Sequence, residues 1–167
     1  MEDLRSDEGL RAAIKAASEE AANNPDYCQW VARAADLIDR VKGADKITRS
    51  SLAFQQVLWE DNPISGVGMG TVNIQAALED TAFRDWVAEA SLQPVPSSLA
   101  DRLEFYQDFF SELQRRIRTF STRTPWVKMF RVMAALFPAD FTTIADRAQA
   151  QNLYAAILPG KGRDPLA

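Results

Sequence analysis

Apolar residues recur at spacings of three and four along most of this 167-residue chain, and this periodicity constrains its fold more than any other feature. Such spacing places apolar side chains on one face of an α-helix, where packing against other helices buries them. The pattern is clearest after Asp101, in Leu103, Tyr106, Phe110, Leu113, Ile117 and Phe120. The sequence therefore predicts an all-α fold, a single irregular bundle of about six to seven helices with one glycine-rich loop or short hairpin.

Capping residues and prolines set the predicted helix limits. Ser6 and Asn24 each precede a helical stretch, as N-terminal caps do. Gly43 is placed to end the second helix, and Pro63 stops the third because a residue before proline disfavours helical geometry. The predicted helices cover about 6–22, 24–43, 50–62, a segment from 76, 101–120, 125–138 and 140–157. We expect one helical domain over 1–160, with 161–167 a frayed end or a linker to a following domain.

The same periodicity predicts which side chains are buried in the other helices. In the second helix these are Tyr27, Trp30, Val31, Ala34, Leu37, Ile38 and Val41. In the helix after Pro125 they are Trp126, Met129, Phe130, Met133 and Phe137. The last helix is expected to be capped by Asp140, Thr142 or Thr143 and to turn Ile144, Leu153 and Ile157 inward.

The chain has no histidine, which excludes Ser-His and Cys-His nucleophile pairs and imidazole metal ligands. Its single cysteine, Cys28, is expected to be a buried structural thiol and agrees with a reducing compartment. No segment approaches the roughly 18 apolar residues of a membrane-spanning helix, and the mixed charges at the N-terminus do not form a signal peptide. We therefore expect a cytoplasmic protein that is not an enzyme and has no membrane contact, metal or cofactor.

Gly66, Gly68 and Gly70 alternate in the only glycine-rich segment. A Walker A loop would end in Gly-Lys-Ser/Thr, whereas Gly70 is followed by Thr71-Val72. A dinucleotide-binding fingerprint would follow a strand and have different glycine spacing. The segment therefore predicts a tight loop whose glycines permit positive φ, and not a nucleotide site.

Two long strings resemble the N-terminal regions of McrB-like AAA+ restriction proteins, the 5-methylcytosine-specific type. They are LWEDNPISGVGMGTVNI at 58–74 and TPWVKMFRVMAALFPADFTTIADR at 124–147, within a resemblance that covers about 52–150. The resemblance implies a variable targeting region, often for DNA with modified cytosine, joined in the parent chain to an NTP-hydrolysing motor that recruits a nuclease subunit. This chain contains no motor motif, and its net charge of −4 is unusual for a reader of a DNA groove.

Charge is unevenly spread along the chain. Residues 1–100 contain 9 bases and 16 acids, and residues 101–167 contain 10 bases and 7 acids. A cluster of six cations is predicted to bind DNA phosphates from two helix ends: Arg115, Arg116, Arg118, Arg123, Lys128 and Arg131. The alternative interpretation is that these bases complement a helix dipole and keep the surface soluble.

Four aromatic residues are candidates to stack on a base, although most lie on apolar helix stripes and would then belong to the core: Trp59, Trp86, Trp126 and Phe141. Trp59 is the preferred candidate because it stands at a helix end beside polar residues. The predicted recognition loop comprises Trp59, Asp61, Asn62, Gly66, Gly68 and Gly70.

Two functional hypotheses follow. The first is a non-catalytic N-terminal recognition domain of a bacterial McrB-like restriction or defence protein that binds DNA, including modified DNA. Its partners would be an AAA+ motor in the same parent chain and a nuclease subunit. The second is a helical protein–protein docking domain with no DNA contact.

Overall fold

Helices make up the regular structure of the chain in the computed structural model, which describes residues 4, 6–64, 72–144 and 147–157. Within those ranges the helices, in chain order, are α1 Asp7–Ala22, α2 Pro25–Gly43, α3 Lys46–Ser50, α4 Leu52–Trp59, α5 Gln75–Glu79, α6 Thr81–Ala90, α7 Leu99–Ile117, α8 Trp126–Leu136 and α9 Arg147–Ile157. The all-α prediction is confirmed. No helix in these ranges combines the length and apolar character that crossing a membrane requires.

The two short helices, α3 and α5, account for the count above the predicted six to seven. Ser51 ends α3 and begins α4, with an extended backbone and its hydroxyl accepting a hydrogen bond from the Phe54 amide at 3.2 Å. Asp80 likewise ends α5 and begins α6, and its carboxylate accepts from the Phe83 amide at 2.7 Å. One residue therefore serves each pair of helices, and each boundary turns the chain without a loop.

Helix α8 lies at the centre of the packing, with eight of its eleven residues buried. It contacts α2 and α4, while α3 and α6 form a second close pair. The shared core is a single cluster of apolar side chains that includes Leu58, Trp59, Ile64, Leu78, Phe83, Leu113, Ile117, Met129, Val132 and Met133.

The buried faces differ from the predicted stripes. In α7 the core residues are Tyr106, Phe109, Leu113 and Ile117. Leu103 and Phe120 were expected in the core but are exposed, and Phe110 is half-buried. The helix also begins at Leu99, capped by Ser98, and not at Asp101. The apolar arc of α7 is wider than the surface that neighbouring helices pack against. Periodicity therefore predicts the whole arc, whereas packing determines which part of it is buried.

Other helices show the same correction. Helix α2 buries Ala34, Leu37 and Val41. The exposed residues that were predicted to be buried are Tyr27, Val31, Trp126 and Leu153. Cys28 is also exposed, and its thiol lies 3.5 Å from the Ala21 carbonyl oxygen. Helix α1 has no buried residue at all.

One alternative predicted that Asp140 caps the last helix, and this alternative is wrong because α9 begins at Arg147. The Asp140 carboxylate accepts hydrogen bonds from Arg102 at 2.8 Å and from the Tyr106 hydroxyl at 2.7 Å. Both bonds lower the pKa of Asp140, that from Tyr106 most. The segment after α8 is therefore tied to the first half of α7.

Some of the predicted features lie outside the described residues. They are Gly66, Gly68 and Gly70 of the predicted loop, the side chain of Ile157 and the end segment 161–167.

Candidate nucleic-acid interface

The six predicted phosphate-binding cations separate into two groups by burial. Arg115, Arg118 and Arg123 are exposed and Arg116 is half-buried, all at the C-terminal end of α7 or in the loop after it. Lys128 and Arg131 are buried in α8. The first four are called the basic corner below.

Lys128 and Arg131 are committed to the protein interior, which corrects the expectation that they face a phosphate backbone. The Lys128 ammonium contacts both carboxylate oxygens of Glu60 at 2.7 and 2.6 Å. Arg131 donates to the carbonyl oxygen of Asn62, and its Nε has no hydrogen-bond partner among the described residues. Burial lowers the pKa of Arg131, which the charge of Glu60 partly offsets. These two cations bind α8 to the end of α4 and cannot meet a solvent-borne anion.

Of the three described residues of the predicted recognition loop, two are interior. Trp59 is fully buried, and its indole N–H donates to Gln55 Oε1 at 2.9 Å. Asn62 is buried and donates to the Leu58 carbonyl at 2.9 Å. Asp61 is exposed, so the structure does not bring Trp59, Asp61 and Asn62 together as an open pocket. Trp59 stands at a helix end, as predicted, but it is the last residue of α4 and packs in the core.

Glu112 organises two of the four arginines in the basic corner. Its carboxylate receives two bonds from Arg115, both at 2.6 Å, and one from Arg116 at 2.7 Å. Those bonds, that from Arg115 first, lower the pKa of Glu112 to about 2. The pairing therefore stabilises the fold above pH 4.5 and is lost as pH falls towards 2. The Arg116 guanidinium also lies 4.8 Å from the ring centroid of Trp86, which is half-buried.

The loop after α7 folds back along that helix. Gln114 on α7 donates to the Thr124 hydroxyl at 3.4 Å, and Ser121 donates to the Arg123 carbonyl at 2.9 Å. Pro125, at φ −83° and ψ 64°, makes an inverse γ-turn in which the Trp126 amide donates to the Thr124 carbonyl at 3.0 Å. These contacts carry Arg123 back beside the last turns of α7, where Arg115 and Arg118 stand.

Arg118 and Arg123 form no ion pair and no side-chain hydrogen bond within the described residues. Their donors therefore face solvent, unlike those of Arg115 and Arg116. A guanidinium offers planar, paired N–H groups that match phosphate oxygens. The basic corner can thus present two unpaired cations and two that a phosphate would have to share with Glu112.

Of the candidate aromatic residues near this corner, Trp86 lies beside Arg116 and is half-buried, whereas Trp126, which follows the loop, is the exposed one. It is 48% exposed, and its ring stacks on Phe110 with centroids 6.0 Å apart. Phe141, another candidate, packs against Tyr106 at 4.8 Å. The sequence pattern predicted Trp126 in the core because it begins an apolar helix.

The pairing of Glu112 with Arg115 and Arg116 could have been predicted from the sequence, because an acid and a base three or four residues apart meet on one face of a helix.

In the described ranges no group of three or more Asp, Glu or Cys side chains could hold a metal ion. Comparison with protein-family models, with curated proteins and with solved structures finds no match to this chain.

Proposed function

We propose that this chain is a non-catalytic recognition domain that binds nucleic acid through the phosphate backbone at its basic corner. One observation carries the proposal. The guanidinium groups of Arg118 and Arg123 are exposed and form no ion pair within the described residues. They stand beside Arg115 and Arg116 in a chain whose net charge is −4. Local positive charge on an acidic protein favours a confined contact with phosphates over a general coating of the nucleic acid.

The resemblance to McrB-like AAA+ restriction proteins extends this proposal to a biological setting. In that setting the domain recognises DNA, including DNA with modified cytosine, for a bacterial restriction or defence protein. The motor in the same parent chain and a nuclease subunit would then supply the chemistry. The work of the domain would be to place them on the target.

The test compares two charge-matched double variants in DNA binding at several salt concentrations. Arg118→Ala with Arg123→Ala removes two unpaired cations of the corner, and Arg11→Ala with Arg33→Ala removes two exposed cations of α1 and α2. Each pair lowers the net charge equally, from −4 to −6. We expect only the first pair to weaken binding, and to reduce the slope of log affinity against log salt by about 1 to 2. Equal effects of both pairs, or no binding by the unmutated chain at low salt, would contradict the proposal.

Glu112 gives a second test with the opposite sign. Its carboxylate competes with phosphate for Arg115 and Arg116. Glu112→Gln should therefore raise affinity for DNA by about two- to fivefold, the effect expected from releasing two cations from weak surface ion pairs. Asp108→Asn, an exposed acid one turn earlier on α7, is the matched control and should change affinity less. Weaker binding by Glu112→Gln would mean that the carboxylate positions the arginines for the ligand.

Protein–protein docking is the second candidate, favoured by two exposed leucines. Leu99 and Leu103 lie one turn apart on α7 and are 71% and 54% exposed. Such a pair is typical of a helix face that meets another subunit. If the unmutated chain fails to bind DNA, Leu99→Ser with Leu103→Ser should abolish its binding to the nuclease subunit that the resemblance implies. Unchanged partner binding would exclude this face.

A further inference from the structure

We infer that Trp126 is a stacking platform for one unpaired base of single-stranded nucleic acid, with phosphates held by Arg118 and Arg123. This inference rests on the proposed function and adds to it the kind of strand and the residue that contacts a base. It assigns a role to an exposed aromatic side chain that neither the core nor the ion pairs require.

The indole is fixed in place before any ligand arrives. Its ring is inclined only 21° to that of Phe110, which in turn stacks on Phe130 at 5.3 Å and 26°. The inverse γ-turn at Pro125 sets the backbone on which the side chain stands. A ring held in this way loses little conformational entropy when a base stacks on its open surface.

Helix geometry places the cations within the same surface. Phe110, Gln114 and Arg118 occupy successive turns along one side of α7. Trp126 packs against the first of these residues, and Thr124 bonds the second. Arg123 precedes Thr124 in the loop, so its backbone lies near this same side of α7. An exposed aromatic ring and two residues with unpaired guanidinium groups therefore adjoin one side of the helix.

This combination favours a nucleic acid over an apolar peptide as the occupant. A peptide groove would surround Trp126 mostly with exposed apolar residues. The loop beside it carries Arg118, Thr119, Ser121 and Arg123, with one exposed apolar residue, Phe120. A single strand of nucleic acid offers base faces and phosphates in alternation. These groups match an aromatic ring with cations on the same side of the helix. In a duplex the base faces are occupied by stacking, so only an unpaired base can use the indole.

The experiment measures binding of labelled oligothymidylate of about twelve nucleotides, and of a mixed-sequence duplex of the same length, by fluorescence anisotropy. Trp126→Leu keeps an apolar contact with Phe110 but removes the aromatic face, and Trp126→Phe restores a smaller one. We expect Trp126→Leu to lose about tenfold in affinity for oligothymidylate, Trp126→Phe to recover most of it, and duplex affinity to change by less than about twofold. Tyr27→Leu, an equally exposed aromatic on α2, is the matched control and should change neither.

Several outcomes would overturn the inference. They are unchanged oligothymidylate binding by Trp126→Leu, equal losses on both ligands, or failure of Trp126→Phe to recover affinity. If the unmutated chain binds duplex but not oligothymidylate, this inference fails and the proposed function stands. If it binds neither, both fail. Circular dichroism and thermal melting of each variant verify that folding is retained.

Discussion

Lys128 and Glu60 form a pair whose two members differ in their access to water. The Lys128 side chain is 4% exposed and the Glu60 side chain is 37% exposed. The charge of the ammonium is compensated by the carboxylate, because the ammonium is almost completely shielded from bulk water. The carboxylate can be solvated on its own.

This asymmetry predicts unequal effects of removing either partner. Glu60→Gln leaves a buried ammonium without a counter-charge and should lower the free energy of unfolding by about 3 kcal/mol. Lys128→Met replaces the buried charge by an apolar chain of similar length and should cost less than about 1.5 kcal/mol. Urea unfolding followed by circular dichroism measures both. A larger loss for Lys128→Met would show that the carboxylate depends on the ammonium instead.

At the scale of elements, Arg49 in α3 joins the ends of two longer helices. Its guanidinium donates to the carbonyls of Val41 at 2.8 Å and Ala44 at 3.1 Å, at the C-terminal end of α2. It also donates to the Ser91 carbonyl at 3.1 Å and hydroxyl at 2.9 Å, at the end of α6. Helix C-termini carry partial negative charge, so the two ends together compensate a buried cation. Burial lowers the pKa of Arg49.

We expect Arg49→Lys to fail as a conservative substitution. Arg49 reaches these carbonyls from three separate nitrogens, Nε, Nη1 and Nη2, whereas a lysine side chain has all its donors on one nitrogen. Arg49→Lys should therefore destabilise the fold by about 2 kcal/mol or more. Arg40→Lys, at an exposed position of α2, is the control and should change stability by less than about 0.5 kcal/mol. Thermal melting compares the two. Equal melting temperatures for both variants would mean that a single positive charge suffices between the helix ends.

Across the whole molecule, burial is concentrated in α8 and absent from α1. Among the close helix pairs of the part of the chain that the structure describes, α1 takes part in one, with α2. A helix with no buried side chain opens without exposing a core. We therefore expect two extremes of local stability within one chain.

Hydrogen exchange followed by mass spectrometry tests this expectation. Amides of α1 should exchange at least about a hundredfold faster than those of α8, because only α8 needs global unfolding to open. Deleting residues 1–23 should leave the exchange of α8 almost unchanged. Comparable protection in α1 and α8 would show that α1 is coupled to the core.

The sequence by itself determined the local features of the fold. Ser6 caps α1 and Asn24 caps α2 as predicted, and α2 ends at Gly43. A cap involves a side chain and an amide only two or three residues away, so its partners can be read from neighbouring letters. The all-α class followed from periodicity for the same reason.

Only the tertiary structure decided which residues face water. Lys128 is buried because Glu60, 68 positions away, supplies its counter-charge. Trp126 is exposed because Phe110 covers just part of it, and periodicity cannot show how much of an apolar arc a neighbouring helix covers. The candidate site therefore moved from Trp59 and a six-cation cluster to Trp126 and the basic corner. Secondary structure depends on contacts near in sequence, whereas burial depends on contacts between residues far apart in it.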